Sequence, residues 1–250
     1  MTLTTLSNGL RLVETLAEQP CTIREAADLL SLPRQSVYRL ARTLVEGGWV
    51  DRDESTDTYS LSPRVWSLGV RSFNQTSVRD VLAPTVRTLA HEYGETVHLG
   101  IYDRGMVVYI DKADGSNPIR SYTELGGRAP SQCVATGKVL LADKVRTNPR
   151  EVADLDLQAF TPLSPTDPDD LLAELAEVTR LGHAVNRGGW REGVGGLAVP
   201  ILSPSGEVVA ALGFSGPTER ITAREAELLE ALTSARDAAS SGKDLSDKAS

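Results

Sequence analysis

The sequence predicts an α+β chain: a helical amino-terminal segment ending in a hairpin, a bridging helix, and a larger segment of hairpins and helices. Three observations predict it. Within the first sixty or so residues, three stretches of helical apolar spacing are closed by two short strand-like runs. From Glu95 onward the apolar period changes to two, and helical stretches then alternate with strand pairs. No apolar run approaches the roughly 18 residues needed to cross a bilayer.

The 250 residues allow one large or two small domains, and 40% hydrophobic with 24% charged residues is composition that sustains a core. The chain's start has neither a basic region nor a continuous apolar stretch, so no signal peptide is expected. Cys21 and Cys133 lack both a disulfide framework and metal-ligand spacing. A cytoplasmic protein is expected.

Element by element, Leu6, Leu10, Val13 and Ala17 share one face of a helix over residues 6–17, with Ser7 as its N-cap. Gln19-Pro20-Cys21 breaks that helix. Thr22-Ile23-Arg24-Glu25 fits a capping box, in which threonine and glutamate satisfy each other's backbone donors. The helix it opens places Ile23, Ala26, Ala27 and Leu30 together. Ser31-Leu32 turns the chain, and Pro33 suits a helix start because its missing N–H is not needed there. Val37, Leu40, Ala41 and Leu44 line the core face of the third helix, which Gly47-Gly48 stops. Strands over residues 49–52 and 58–61 flank a polar turn. Helix, turn, helix and hairpin in succession make a winged helix-turn-helix.

The balance of 26 basic against 34 acidic residues does not by itself suggest a nucleic-acid partner. Residues 1–62 carry six arginines and nine acids, a net charge of −3. Phosphate neutralisation is local, however, and between Pro33 and Val45 there are three arginines and no acid. Gln35, Arg39 and Arg42 project opposite the apolar face. An arginine fork matches a phosphate or the guanine O6/N7 edge, and a glutamine pairs with adenine. Ser36 and Tyr38 flank that face towards phosphates, as do Arg34 and, from the hairpin, Arg52. The plainer reading is a solvated face on an ordinary helix pair. So few cations per module would require a dimer for useful affinity.

"SPRVWSLGVRSFNQ" follows, a helix apolar on more than one side, as expected of a helix with a partner besides its own core. A helix near residues 78–93 comes next. Strands over 96–102 and 106–112 flank Asp103-Arg104-Gly105, and a further strand is expected over 119–123. "ELGGRAPSQC" reads as a loop, "VATGKVLLA" as a helix, and residues 169–181 as an amphipathic helix through Leu171, Leu172, Leu175 and Val178. Strands over 194–202 and 207–215 flank Ser203-Pro204-Ser205-Gly206. Thr222-Ala223-Arg224-Glu225 fits a second capping box, opening a last helix to about residue 239. The polar tail is expected to be mobile.

Four stretches occur in order: "TIREAADLLSLPRQSVYRLARTLVEGGWVDRD", "GGRAPSQCVATGKVLLA", "HAVNRGGWREGVGGLAVPI" and "VVAALGFSGPTERIT". Together they closely resemble the IclR family of bacterial transcription regulators, over residues 6–239. The resemblance implies a winged helix-turn-helix DNA-binding domain (1–62), a linker helix (63–76), a GAF-like effector-binding and oligomerisation domain (77–239) and a tail (240–250). It also implies a homodimer or dimer of dimers on partly palindromic double-stranded DNA. Carried over residue by residue, the effector site would comprise Ala135, Thr136, Asn186, Gly196 and Ser215. Backbone N–H groups of Ala135 and Thr136 at a helix start would hold a carboxylate, and Asn186 and Ser215 would orient the ligand. Members binding small oxo-acids tend to have Asp, Cys and Ser where this chain has Asn186, Gly196 and Gly213. Less negative charge and two glycines imply a bulkier effector, an aromatic acid or a close derivative, walled by Val194 and Leu125; the plainer reading makes the glycines turn or strand-crossing positions. Gln132 stands where the family usually has His, so no role is carried over there. Trp190 and Arg191 would close the pocket or join subunits, or else belong to a loop ordered by Arg191 and Glu192.

Enzyme motifs fail on inspection. "GGRAPSQCVATGKV" lacks the glycine five residues before Gly137, and Val139 replaces the Ser/Thr of a phosphate loop. "GFSGP" lacks nucleophile-elbow spacing. Nothing near Cys133 makes it a nucleophile with His91, His98 or His183, and the three histidines are scattered. No enzyme, cofactor or metal is expected. The expectation is a ligand-responsive regulator, a repressor of a catabolic operon released by a small organic acid. An activator or an effector-independent DNA-binding protein is the alternative.

Overall fold

The computed structural model describes residues 3–73, 77–119, 123–203 and 205–241. The chain packs as two compact units, Met1–Thr76 and Ser77–Ser250.

The first unit runs α1 (Thr4–Glu18), β1 (Cys21–Thr22), α2 (Ile23–Leu30), α3 (Arg34–Glu46), β2 (Val50–Asp53), β3 (Thr58–Leu61) and α4 (Pro63–Phe73). The capping box forms as its spacing predicts: Glu25 N donates to Thr22 Oγ1 at 3.3 Å, and Thr22 N donates to the Glu25 carboxylate at 2.8 Å. Ser31, in the left-handed region at φ 54°, reverses the chain into α3. The three helices close on Leu12, Leu16, Ala26, Ala27, Leu30, Val37 and Ala41, with Val50 and Tyr59 from the hairpin. The short β1, inside the expected break, adds a third strand beside β3.

The face expected for α1 is corrected. Leu12 and Leu16 are buried, whereas Leu6 and Leu10 are more than half exposed. The helix carries two apolar stripes, and the one that packs brings Leu12 and Leu16 against Ala26, Leu30, Val37 and Ala41. Ser7 is not the N-cap either. It lies inside the helix, its N–H donating to Leu3 O at 3.0 Å.

The second unit runs α5 (Ser77–Tyr93), β4 (Thr96–Asp103), β5 (Met106–Ala113), β6 (Arg128–Pro130), α6 (Ala135–Thr147), α7 (Pro168–Leu181), β7 (Ala184–Arg187), β8 (Val194–Leu202), β9 (Val208–Pro217), α8 (Thr218–Ala223) and α9 (Glu225–Ser241). Six strands form one antiparallel sheet in the order β6-β5-β4-β9-β8-β7. Strand alternation sends neighbouring residues to opposite faces. Leu197, Val199, Leu212 and Phe214 meet Leu82, Val86, Leu228 and Leu232 of α5 and α9. Ala198 and Ala211 face the other way, towards Val139, Leu140, Leu171 and Leu175 of α6 and α7. Large residues on one face and alanines on the other let α6 lie close against the sheet.

Glu95, fully buried at the start of β4, ties this unit together. Its carboxylate accepts from the Arg220 guanidinium on α8 and from Asn117 Nδ2 at 3.1 Å.

Two expectations differ here. β6 and β7 form in segments without an anticipated strand. The second capping box does not form: Thr222 belongs to α8, and the break falls at Arg224, whose guanidinium instead pairs with Glu227. Of the strand expected over 119–123, residues 120–122 lie outside the described residues, as do 242–250 of the tail.

Candidate functional site

Each unit presents one candidate surface. On α3, burial of Val37 and Ala41 turns Arg34, Gln35, Ser36, Tyr38, Arg39 and Arg42 outward, all exposed. Their charges are not equivalent. Arg42 Nε donates to Glu46 at 2.7 Å, one turn along the helix. In the hairpin, Arg52 donates twice to Asp57, at 3.0 and 2.7 Å, with its guanidinium 5.7 Å from the Tyr59 ring. Among the described residues, neither Arg34 nor Arg39 forms an ion pair. These two cations therefore meet a partner without first breaking an internal contact.

In the second unit, a cavity of about 30 Å³ lies between the start of α6 and the sheet, lined by residues including Ala135, Thr136, Asn186, Val194, Gly196 and Ser215. These six are among the positions singled out from sequence. The first-turn N–H groups of α6 have no acceptor within the helix and carry the positive end of its dipole. His98, Tyr109, Thr123, Trp190, Arg191 and Phe214 also line the cavity. Sequence reasoning missed the role of His98, Tyr109, Thr123 and Phe214, which come from four separate segments. The available signal was the period-two pattern, which sends His98 and Ser215 to the same face through neighbouring strands.

Burial, with the nearby Lys112 charge adding to it, pushes His98 down to about 3, so its ring is neutral. Its Nε2 shares a hydrogen bond with the Thr123 hydroxyl, and its ring lies 4.5 Å from that of Tyr109. Burial pushes the Tyr109 phenol up to about 12, against the opposing pull of the Thr136 hydroxyl. Apart from Arg191, the cavity thus offers uncharged donors and ring faces. The Arg191 guanidinium stacks 4.5 Å over Trp190 at its rim.

Two sequence choices are corrected. Gly213 does not line the cavity: a Cβ there would stand 2.6 Å from Leu197 O and 2.8 Å from Ala198 Cβ, so its lack of side chain serves close packing. Leu125 is half exposed and outside the lining. Cys133 is fully buried, and burial pushes its thiol up to about 11.

Residues 5–54 match the IclR helix-turn-helix domain, and residues 70–241 match the bacterial transcriptional regulator IclR C-terminal domain. The chain belongs to the IclR family. It is 30% identical to the HTH-type transcriptional regulator KdgR of Escherichia coli K12 over 206 residues, covering 82% of this chain and 78% of that one. It is 29% identical to the HTH-type transcriptional repressor AllR of the same strain over 194 residues, covering 77% and 72%. Among solved structures, an IclR transcriptional regulator from Alicyclobacillus acidocaldarius superposes with a TM-score of 0.78 at 26% identity, covering 96% of this chain and 98% of that one.

Membership of the IclR family identifies the chain as a ligand-responsive, DNA-binding transcription regulator rather than an enzyme. Among the described residues, no helix is long and apolar enough to cross a membrane.

Proposed function

We propose that this IclR-family regulator is a repressor. It occupies a partly palindromic operator as a dimer or dimer of dimers, and leaves when a small organic acid, preferentially an aromatic one, enters the cavity beside α6. Arg39 and Gln35 read bases; Arg34, Ser36, Tyr38 and Arg42 hold phosphates, and Arg52 joins them only by leaving Asp57.

The observation that carries the ligand class is the lining itself. Three rings, His98, Tyr109 and Trp190, surround a helix start whose N–H groups favour a carboxylate. The similarity to a protein named as a repressor supports the sign of regulation. Self-association draws support from α1, where Leu3, Leu6 and Leu10 expose 56–70% of their surface along one side. Apolar stripes of that kind commonly mark protein contacts. Effector binding then shifts the relative placement of two DNA modules, so that their spacing no longer matches two half-sites.

The test is fluorescence anisotropy on labelled DNA from upstream of the protein's own coding region, with benzoate, 4-hydroxybenzoate, pyruvate and glyoxylate added in turn. Tight binding released by an aromatic acid is the expected result. Release by pyruvate or glyoxylate alone discards the aromatic reading, and binding that no acid alters favours an effector-independent protein.

A further inference from the structure

Asn186 lines the cavity, yet its polar atoms are already engaged. Its Oδ1 accepts from Gly188 N at 3.1 Å and Gly189 N at 2.8 Å, and its Nδ2 donates to Val194 O at 3.3 Å. Two hydrogen bonds use both lone pairs of a side-chain carbonyl, which leaves a single N–H for anything else. From the opposite side, Thr161 Oγ1 donates to Gly188 O and Ser164 Oγ to Gly189 O, each at 2.7 Å. Both peptide groups of the Gly188-Gly189 pair are therefore held by side chains, inside and out. Gly188 has φ +110°, a conformation that only glycine adopts readily.

Trp190 and Arg191 follow immediately. They line the 30 Å³ cavity and also a second, more open outer chamber of about 270 Å³, which shares Tyr109 and Thr123 with it. The inner space suits a group no larger than a water molecule. Sites for small organic ligands begin at about 300 Å³, a size reached only when the two chambers act as one.

We infer that Trp190 and Arg191 form a gate between two chambers of one effector site, and that Asn186, Thr161 and Ser164 position this gate. The inference rests on the cavity being the effector site. It reassigns Asn186 from holding the ligand to holding the loop beside it. The effector would place its small polar end in the inner chamber and its ring in the outer one, between Tyr109 and the displaced Trp190.

Hydrogen exchange followed by mass spectrometry on the full-length protein, without added ligand, tests the gate directly. Asn186→Leu and Thr161→Val are expected to raise exchange across residues 188–194 by at least tenfold while leaving α6 and β9 unchanged. Asn186→Asp, which keeps the accepting oxygen, is expected to leave the loop near wild-type protection. Unchanged loop exchange in both Asn186→Leu and Thr161→Val overturns the proposal, as does an increase spread evenly over the unit. Stopped-flow binding of benzoate, read by Trp190 fluorescence in a Trp49→Phe/Trp66→Phe background, supplies the second arm. A gate-positioning role predicts that Thr161→Val speeds association and dissociation together, whereas an effect on dissociation alone overturns it. Absence of benzoate binding in the parent protein with loop exchange behaving as expected overturns the ligand assignment and leaves the gate standing.

Discussion

Arg42 Nε stands 2.7 Å from the Glu46 carboxylate, while Arg39, on the same exposed side of α3, has no ion-pair partner among the described residues. The pair is two-thirds exposed on either side, so it adds little stability. Its effect falls on binding. A DNA phosphate must compete with Glu46 for Arg42, whereas Arg39 is available at once.

Arg39→Ala is therefore expected to weaken operator binding by about 1–3 kcal/mol and to relax specificity at one base position. Arg42→Ala should cost less and act alike on all sequences. Glu46→Gln should strengthen binding, most at low salt, because it frees a cation and removes a repelling charge. Anisotropy titrations across a salt series check all three; equal losses from Arg39→Ala and Arg42→Ala would discard the distinction.

The Thr22 cap makes a second prediction. Thr22→Ala removes the acceptor for Glu25 N and loosens the reciprocal bond, at a cost of about 0.5–2 kcal/mol. Thr22→Ser should retain most of it. Denaturant unfolding of the amino-terminal unit reads the difference, and equal stability of the two variants would rule the cap out as a contributor.

Gly213 and Gly196 separate packing from ligand space. Gly213→Ala places a methyl 2.6 Å from a backbone carbonyl in mid-sheet and should destabilise the second unit by about 1–3 kcal/mol. At Gly196 the nearest atoms are Phe214 O at 3.1 Å and Ala135 Cβ at 3.6 Å. Gly196→Ala should be milder for folding and should reduce effector affinity. Thermal unfolding with calorimetric titration of benzoate distinguishes the two; a larger folding defect at Gly196 would reverse the assignment.

His98 gives a pH dependence. Its folded value, about 3, lies below the ordinary 6.5, so the unfolded chain binds a proton that the folded chain refuses. Stability from this group is complete above about pH 6.5 and is lost as pH falls towards 3, at about 1.4 kcal/mol per unit. Chemical unfolding between pH 4.5 and 6 should show that slope in the wild type, flattening above pH 6.5, and a shallower one in His98→Asn. An identical slope in both proteins would remove His98 as its source.

Much of this architecture was legible because it is local. The capping box, the hydrophobic spacing of α3 and the hairpin turns are each decided within a few residues. The face of α1 was not, because two apolar stripes satisfied the same periodicity and only packing against α2 and α3 selects between them. β7 escaped notice for a related reason: four residues beside a glycine-rich loop become a strand only when β8 supplies the ladder. At the cavity, Ala135, Thr136 and Ser215 were legible through resemblance. His98 was not, since its role depends on the register that sets β4 beside β9. Gly213 illustrates the reverse error, a glycine interpreted as ligand space that in fact accommodates the neighbouring strand.

That register has a consequence for how the protein is made. β4 ends at residue 103, yet its partner β9 begins at residue 208, and buried Glu95 waits for Arg220. At a synthesis rate of about 5–20 residues per second, the first half of the sheet remains unpaired on that side for on the order of 10 s. The helical unit ahead of it needs nothing from downstream to complete its core and can fold while the ribosome is still working. A chain cut short before β9 would thus carry a folded helix-turn-helix unit followed by a sheet in which β4 lacks its second partner and Glu95 its counter-charge.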